Sequence, residues 1–217
     1  MTITEFFAKC DNLRPELAAK LFYATHMVCK YQGRQHRDSG EPYLEHVFDV
    51  VYQMMEIGLD DDEIVGACLH DLVEDTEVTI DLIREFFGEP VAFNVEGVTK
   101  GPKEKFPNKE ARLEDLHLRI IEYARVRFGV IFIRCGCRLH NLVTLHGLFR
   151  DPGKQLRVAQ ETIDFYVQQL LQGEARVIVP EKYHPWLDRY SSKMRHLAMA
   201  YLEIPNPTTV VVALRNS

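Results

Sequence analysis

The chain has 217 residues, 46% hydrophobic and 27% charged, with 12 Gly and 10 Pro. That balance excludes disordered, collagen-like and coiled-coil classes and suffices for one ordinary domain with a sizeable core. Its 26 Lys and Arg against 32 Asp and Glu leave a formal net charge of −6, so no global basic field gathers nucleic acid, and a phosphorylated ligand needs a bound cation or a local basic cluster.

The apolar runs Val130 to Ile133 and Val210 to Leu214, like every other in the chain, fall far short of the roughly 20 residues of a membrane helix, so no membrane partner is expected. Met1 to Leu13 carries Glu5, Lys9 and Asp11 and lacks the basic start and apolar centre of a secretory signal, so the expected location is cytoplasmic. Cys10, Cys29, Cys68, Cys135 and Cys137 are odd in number and lack paired CxxC spacing, which argues against a disulfide framework and a zinc ribbon.

In chain order, the periodicity predicts an all-α fold. A first helix starts at Pro15, carries Leu17, Leu21, Ala24 and Val28 on one face, and stops near Gly33. A second begins near Pro42, with Leu44, Val47, Phe48, Val51, Met54 and Met55 at core spacing, His46 as the polar exception, and Gly58 as its C-terminal cap. Asp60 and Glu63 form an acidic capping box that opens a third helix, through Ile64, Ala67, Cys68, Leu69 and Leu72. Shorter helices follow at Ile80 to Phe87 and from Pro90 to Val98, then a Gly-, Pro- and Lys-bearing loop over 101–108, the best candidate for mobility. A long helix spans Lys109 to Phe128. The run Val130 to Ile133 reads equally as helix or strand, and Arg138 to Leu148 is helical. Helices at Lys154 to Leu171 and Pro185 to Leu202 close the fold, and the tail Thr208 to Leu214 has the composition of a short β segment. No linker separates domains, so 1–217 is expected to be one unit.

The chemistry concentrates on the third helix. His70-Asp71 is followed by Glu74-Asp75, so at i, i+4 spacing His70 sits over Glu74 and Asp71 over Asp75 on one helical edge. The flanking residues Ala67, Cys68, Leu69, Leu72 and Val73 are apolar. Carboxylates clustered in such a setting need a compensating cation, and imidazole with carboxylate suits Mn²⁺, Fe²⁺ or Zn²⁺. Without context, an adjacent His and Asp on a helix surface more often have no ligand role.

Four blocks supply that context: 35–46 (QHRDSGEPYLEH), 69–76 (LHDLVEDT), 98–100 (VTK) and 138–145 (RLHNLVTL). Together they resemble the hydrolase domain of the RelA/SpoT family, HD-superfamily alarmone hydrolases, and cover about 17–166, with a helical C-terminal extension over 154–217. The chain stops where the synthetase domain of the long enzymes would follow, which makes it more similar to the stand-alone small alarmone hydrolases, including the animal-type Mesh proteins. The resemblance implies an HD-domain helical bundle that removes the 3′-pyrophosphate of ppGpp or pppGpp with Mn²⁺, the alarmone being its partner. It implies that His46, His70 and Asp71 are metal ligands, that Glu74 and Asp75 orient or deprotonate the attacking water, that Arg37 stacks on the base or grips phosphate, and that Asn141 and Thr144 line the nucleotide pocket.

The sequence departs from that pattern where the family has its fourth ligand, an Asp, and this chain has Cys137. A thiolate is softer and favours Zn²⁺ over Mn²⁺. Cys137 therefore raises a second reading, a catalytically degenerate HD domain that binds a nucleotide or partner without turnover, while a related nucleotide or NADPH phosphatase keeps the chemistry and changes the substrate. Val47 stands where the family has Pro, and Asp38 where a basic residue is common, which would shift the phosphate grip to Arg34, Lys103, Lys105, Arg134 or Arg138.

Overall fold

The computed structural model describes residues 3–10 and 13–203, which are helical with no strand among them. The expected all-α class is what the structure has. The C-terminal β segment at Thr208 to Leu214 lies outside the described residues. The elements are α1 (Ile3–Cys10), α2 (Pro15–Gln32), α3 (Tyr43–Ile57), α4 (Asp61–Leu69), α5 (Leu72–Asp75), α6 (Ile80–Phe87), α7 (Glu89–Val98), α8 (Lys109–Ala124), α9 (Gly129–Val143), α10 (Pro152–Glu161), α11 (Ala175–Ile178) and α12 (His184–Glu203). They fall into two compact units. The first comprises the chain up to Gln35 with Pro42–Gly136, and the second His36–Glu41 with the chain from Cys137 onward.

In the first unit α4 is the central helix, packed by α2, α3 and α7. Every residue from Glu63 to Leu69 is buried, which an apolar run with small residues at Gly66 and Ala67 permits. A Cβ at Gly66 would stand 2.9 Å from Asn94 Cβ of α7, so glycine is what lets the two helices meet. The expected capping box is present: Asp60 Oδ1 accepts from Glu63 N and Glu63 Oε2 from Asp60 N. Gly58 closes α3 at φ 76°, the left-handed conformation expected of a C-terminal glycine. α1, which the sequence reading did not pick out as a helix, docks on α3 by stacking Phe6 on Phe48 with ring centroids 4.3 Å apart.

α8 ends at Ala124 rather than Phe128, because the following turn is drawn toward the start of α4. Arg127 donates to both carboxylate oxygens of Asp60 and to Asn94 Oδ1, and Gly129 N donates to Glu63 Oε1. The ambiguous run Val130 to Ile133 lies inside α9 and is fully buried. α9 stops at Val143, and a 3₁₀ turn covers the rest of the predicted Arg138 to Leu148 helix.

In the second unit α10 passes directly into a π-helical stretch over Thr162–Glu174, against which α12 packs. Thr162 begins that stretch with its hydroxyl donating to Val158 O, the back-bond that loosens a helical ladder. α12 buries Leu187, Tyr190, Met194, Ala198 and Tyr201 at spacings of three and four.

Candidate metal centre

α3 places His46 on the face that also buries Leu44, Val47, Phe48, Val50, Val51 and Met54, and His46 is itself fully buried. His70 follows the last residue of α4 and is equally buried. The backbone then leaves the helix at Asp71 (φ −106°, ψ −6°), and α5 starts afresh at Leu72. The expected single helical edge is therefore corrected in part: Asp75 N still donates to Asp71 O at 3.2 Å, the i, i+4 turn expected, but the break puts His70 against His46 and Glu74 against Lys100. The Asp71 carboxylate accepts a hydrogen bond from the Tyr43 hydroxyl and lies 3.0 Å from His70 Nε2 and 3.5 Å from His46 Nε2.

The tautomer of His70 follows from its other nitrogen. Nδ1 lies 2.8 Å from Ala67 O, and a carbonyl only accepts, so Nδ1 carries the proton and a neutral ring directs its Nε2 lone pair inward. There it meets His46 Nε2 at 3.2 Å and the Asp71 carboxylate. Electron-rich atoms crowded together in a buried place call for a cation. His46, His70, Asp71 and Cys137 each offer one donor atom, all within 4.8 Å of one another. Were every pair at that limit, the centre would lie about 2.9 Å from each, so movements under about 1 Å reach metal bonds of about 2.0–2.3 Å. The donor set fits a divalent ion. Cys137 is buried on α9, and Asn141 Nδ2 donates toward its Sγ at 3.6 Å.

Of the acidic pair, Glu74 accepts from Lys100, and Asp75 is exposed. Partial burial, then the Asp71 and Glu74 charges, push the Asp75 carboxyl above its ordinary value against the opposing pull of Lys100.

In the second unit the short segment His36–Glu41 carries Arg37, whose guanidinium donates to Asn141 Oδ1 at 2.5 Å and lies 3.3 Å from Glu41 Oε1. Arg37 and Asn141 are thus brought together. Thr144 donates its hydroxyl to His140 O at the end of α9, so its first role is to satisfy a terminal carbonyl. Of the other basic residues singled out, Arg138 is buried against Glu161 at 2.5 Å and over the Tyr166 ring, and Arg134 is buried beside Val98 O. Arg34, Lys103 and Lys105 are exposed, and Asp38 faces Lys154. Sequence reasoning left Tyr43 unassigned and gave Lys100 no role. The signals were there: Tyr43 precedes His46 by three residues on one helix, and Lys100 stands in one of the four motif blocks.

A profile of the HD domain family matches residues 23–169. The chain belongs to the HD domain family. Guanosine-3′,5′-bis(diphosphate) 3′-pyrophosphohydrolase of Aquifex aeolicus (strain VF5) is 38% identical to this HD domain over 167 residues, 76% of this chain and 23% of that one. The bifunctional (p)ppGpp synthase/hydrolase SpoT of Escherichia coli (strain K12) is 37% identical over 155 residues, 70% of this chain and 22% of its own. The HD domain thus spans less than a quarter of these relatives' length. A solved structure described as a metazoan ortholog of SpoT that hydrolyzes ppGpp and plays a role in starvation responses superposes with a TM-score of 0.57 at 21% identity, covering 81% of this chain and 95% of that one. That likeness shows the fold.

Proposed function

We propose that this HD domain is a metal-dependent hydrolase that removes the 3′-pyrophosphate of ppGpp or pppGpp, leaving GDP or GTP and pyrophosphate. The observation that carries the reading is the convergence of two imidazoles, a carboxylate and a thiol on one point, just ahead of an acidic pair, in a chain whose relatives bear that activity's name. His46, His70, Asp71 and Cys137 would hold a divalent ion, which when bound supplies a Lewis acid and an acidified water. The resemblance implies Mn²⁺, and the thiol in place of a carboxylate favours Zn²⁺. Asp75 takes up the proton from the attacking water and returns it to the leaving oxygen, a role suited to a carboxyl with a raised pKa. Glu74 orients that water. Arg37 presents a planar cation to guanine or phosphate, with Asn141 beside it, and Thr144 contributes a hydroxyl oxygen that can still accept. Since the substrate is an intracellular nucleotide, the expected place of action is the cytoplasm.

Cys137 favours one other reading, a domain that binds the alarmone without turnover. The two separate by pyrophosphate release from ppGpp with Mn²⁺ or Zn²⁺, run beside a Cys137→Asp variant and with NADPH as a second substrate. Release by the natural chain is the expected result. Tight binding without release until Asp is introduced would establish the binding module, and neither binding nor release by either chain would refute both readings.

A further inference from the structure

The acidic pair is not equivalent, and the difference traces to one lysine. Both oxygens of Glu74 are taken by the same residue: Oε1 accepts from the Lys100 backbone N at 2.8 Å and Oε2 faces its Nζ at 3.1 Å. Glu74 and Lys100 are both largely covered, with side chains 12% and 31% exposed. Lys100 is pinned from both sides. α7 ends at Val98, where Thr99 donates its hydroxyl to Val95 O at 2.7 Å. Gly101 O accepts from Arg112 Nε at 2.6 Å, and a Cβ at Gly101 would strike the Phe106 ring at 2.7 Å. The 101–108 segment, expected to be the most mobile, is therefore anchored at its first residue. An incidental surface ion pair has no such scaffold and holds neither partner in one geometry. Asp75 has no comparable clamp among the described contacts.

We propose that Lys100 is a positioning residue that holds the Glu74 carboxylate in one geometry, one lone pair of each oxygen engaged and the other open, so that Glu74 orients the attacking water while Asp75 moves the proton. The assignment rests on the hydrolase reading above and deepens it. Each Glu74 oxygen keeps a second lone pair that can accept from the water, while the Asp75 carboxylate has no such clamp among the described contacts and is free to turn with the proton.

The test is a double-mutant cycle. The natural chain, Lys100→Met, Lys100→Arg, Glu74→Gln and the Lys100→Met/Glu74→Gln double variant are assayed for kcat and KM on ppGpp with Mn²⁺. Lys100→Met is expected to lower kcat about ten- to a hundredfold, the usual cost of losing a supporting contact at a metal site, with KM within about twofold. Lys100→Arg recovers most of that loss, and in the Glu74→Gln background Lys100→Met costs under about twofold, because its effect runs through Glu74. Multiplicative losses overturn the proposal, as does an effect carried wholly by KM, which would make Lys100 a direct phosphate contact. If the natural chain releases no pyrophosphate, the hydrolase reading fails, and urea unfolding of the natural chain, both single variants and the double variant still decides the clamp. Non-additive midpoints support it, and additive ones overturn it.

Discussion

Replacing Gly147 with alanine should impair nucleotide binding from a position that carries no chemistry of its own. A Cβ there would stand 2.3 Å from Ser39 Cα, 2.4 Å from Ser39 Cβ and 2.7 Å from Ser39 N. Atoms in contact need about 3.5 Å, so the Ser39 backbone must retreat by about 1.2 Å. Ser39 belongs to the tight segment that bears Arg37, closed by Arg37 N donating to Glu41 O and Gly40 N to Arg37 O, with Gly40 at φ 97°. That segment moves as a piece. A retreat of that size lengthens the 2.5 Å bond from Arg37 to Asn141 by up to about 1.2 Å, which at the full extent is past hydrogen-bond reach. Overpacking of this kind costs about 1–3 kcal/mol, or about 2–12 °C in Tm for a chain of this length. Misplacing a substrate-facing group by about 1 Å costs up to about a hundredfold, so KM for ppGpp is expected to rise about ten- to a hundredfold with kcat less affected. Steady-state kinetics on ppGpp and a thermal melt check both. Adding Ser39→Gly removes a Cβ but not the Cα, so it should fail to rescue. An unchanged KM would refute the coupling of Gly147 to Arg37, and a rescue by Ser39→Gly would refute the backbone clash.

Two further outcomes are expected. At a hundred times its Kd, a divalent ion bound only by the folded chain stabilises it by about 2.7 kcal/mol, or about 5–11 °C in Tm. Zn²⁺ and Mn²⁺ should each raise the melt, Cys137→Asp should turn the preference toward Mn²⁺, and an equal rise in a His70→Ala variant would rule out the proposed donor set. Glu63 offers a pH-dependent check on the fold. Burial and then the Asp60 charge raise its carboxyl above the ordinary value, against the hydrogen bonds from Asp60 N and Gly129 N and the Arg127 charge. A group with a raised folded-state pKa stabilises most below its unfolded value and loses that contribution as pH rises through the folded one. The stability of the natural chain minus that of Glu63→Gln, measured by urea unfolding, should therefore be largest at acid pH and fall toward neutrality, and a difference that grows with pH would contradict the burial of that carboxyl.

How much was legible follows the range of the forces involved. Capping and periodicity act over a few residues, so the Asp60–Glu63 box, the Gly58 cap and the apolar faces of α2 and α3 are in the chain itself. The run Val130 to Ile133 was not, because an apolar stretch with no polar face has no period to read, and only its enclosure on every side settles it as helix. The end of α8 depended on Arg127 finding Asp60 and Asn94, partners 67 and 33 residues away. At the site, His46, His70 and Asp71 came from motif blocks as residue types and Cys137 from the position just before the last block, whereas the helix break at Asp71 had no local signature.

The sequence by itself determined the helical class, the donor types and the starts of α2, α3 and α4, since backbone hydrogen bonding and hydrophobic periodicity are properties of a short segment. Only the tertiary structure decided that His70 faces His46 instead of Glu74, that Glu74 answers to Lys100, and that Arg37 rests on Asn141. Each of those pairs closes a loop of 24 to 104 residues, and a side chain's partner at that distance is chosen by how the helices pack, which no local pattern encodes.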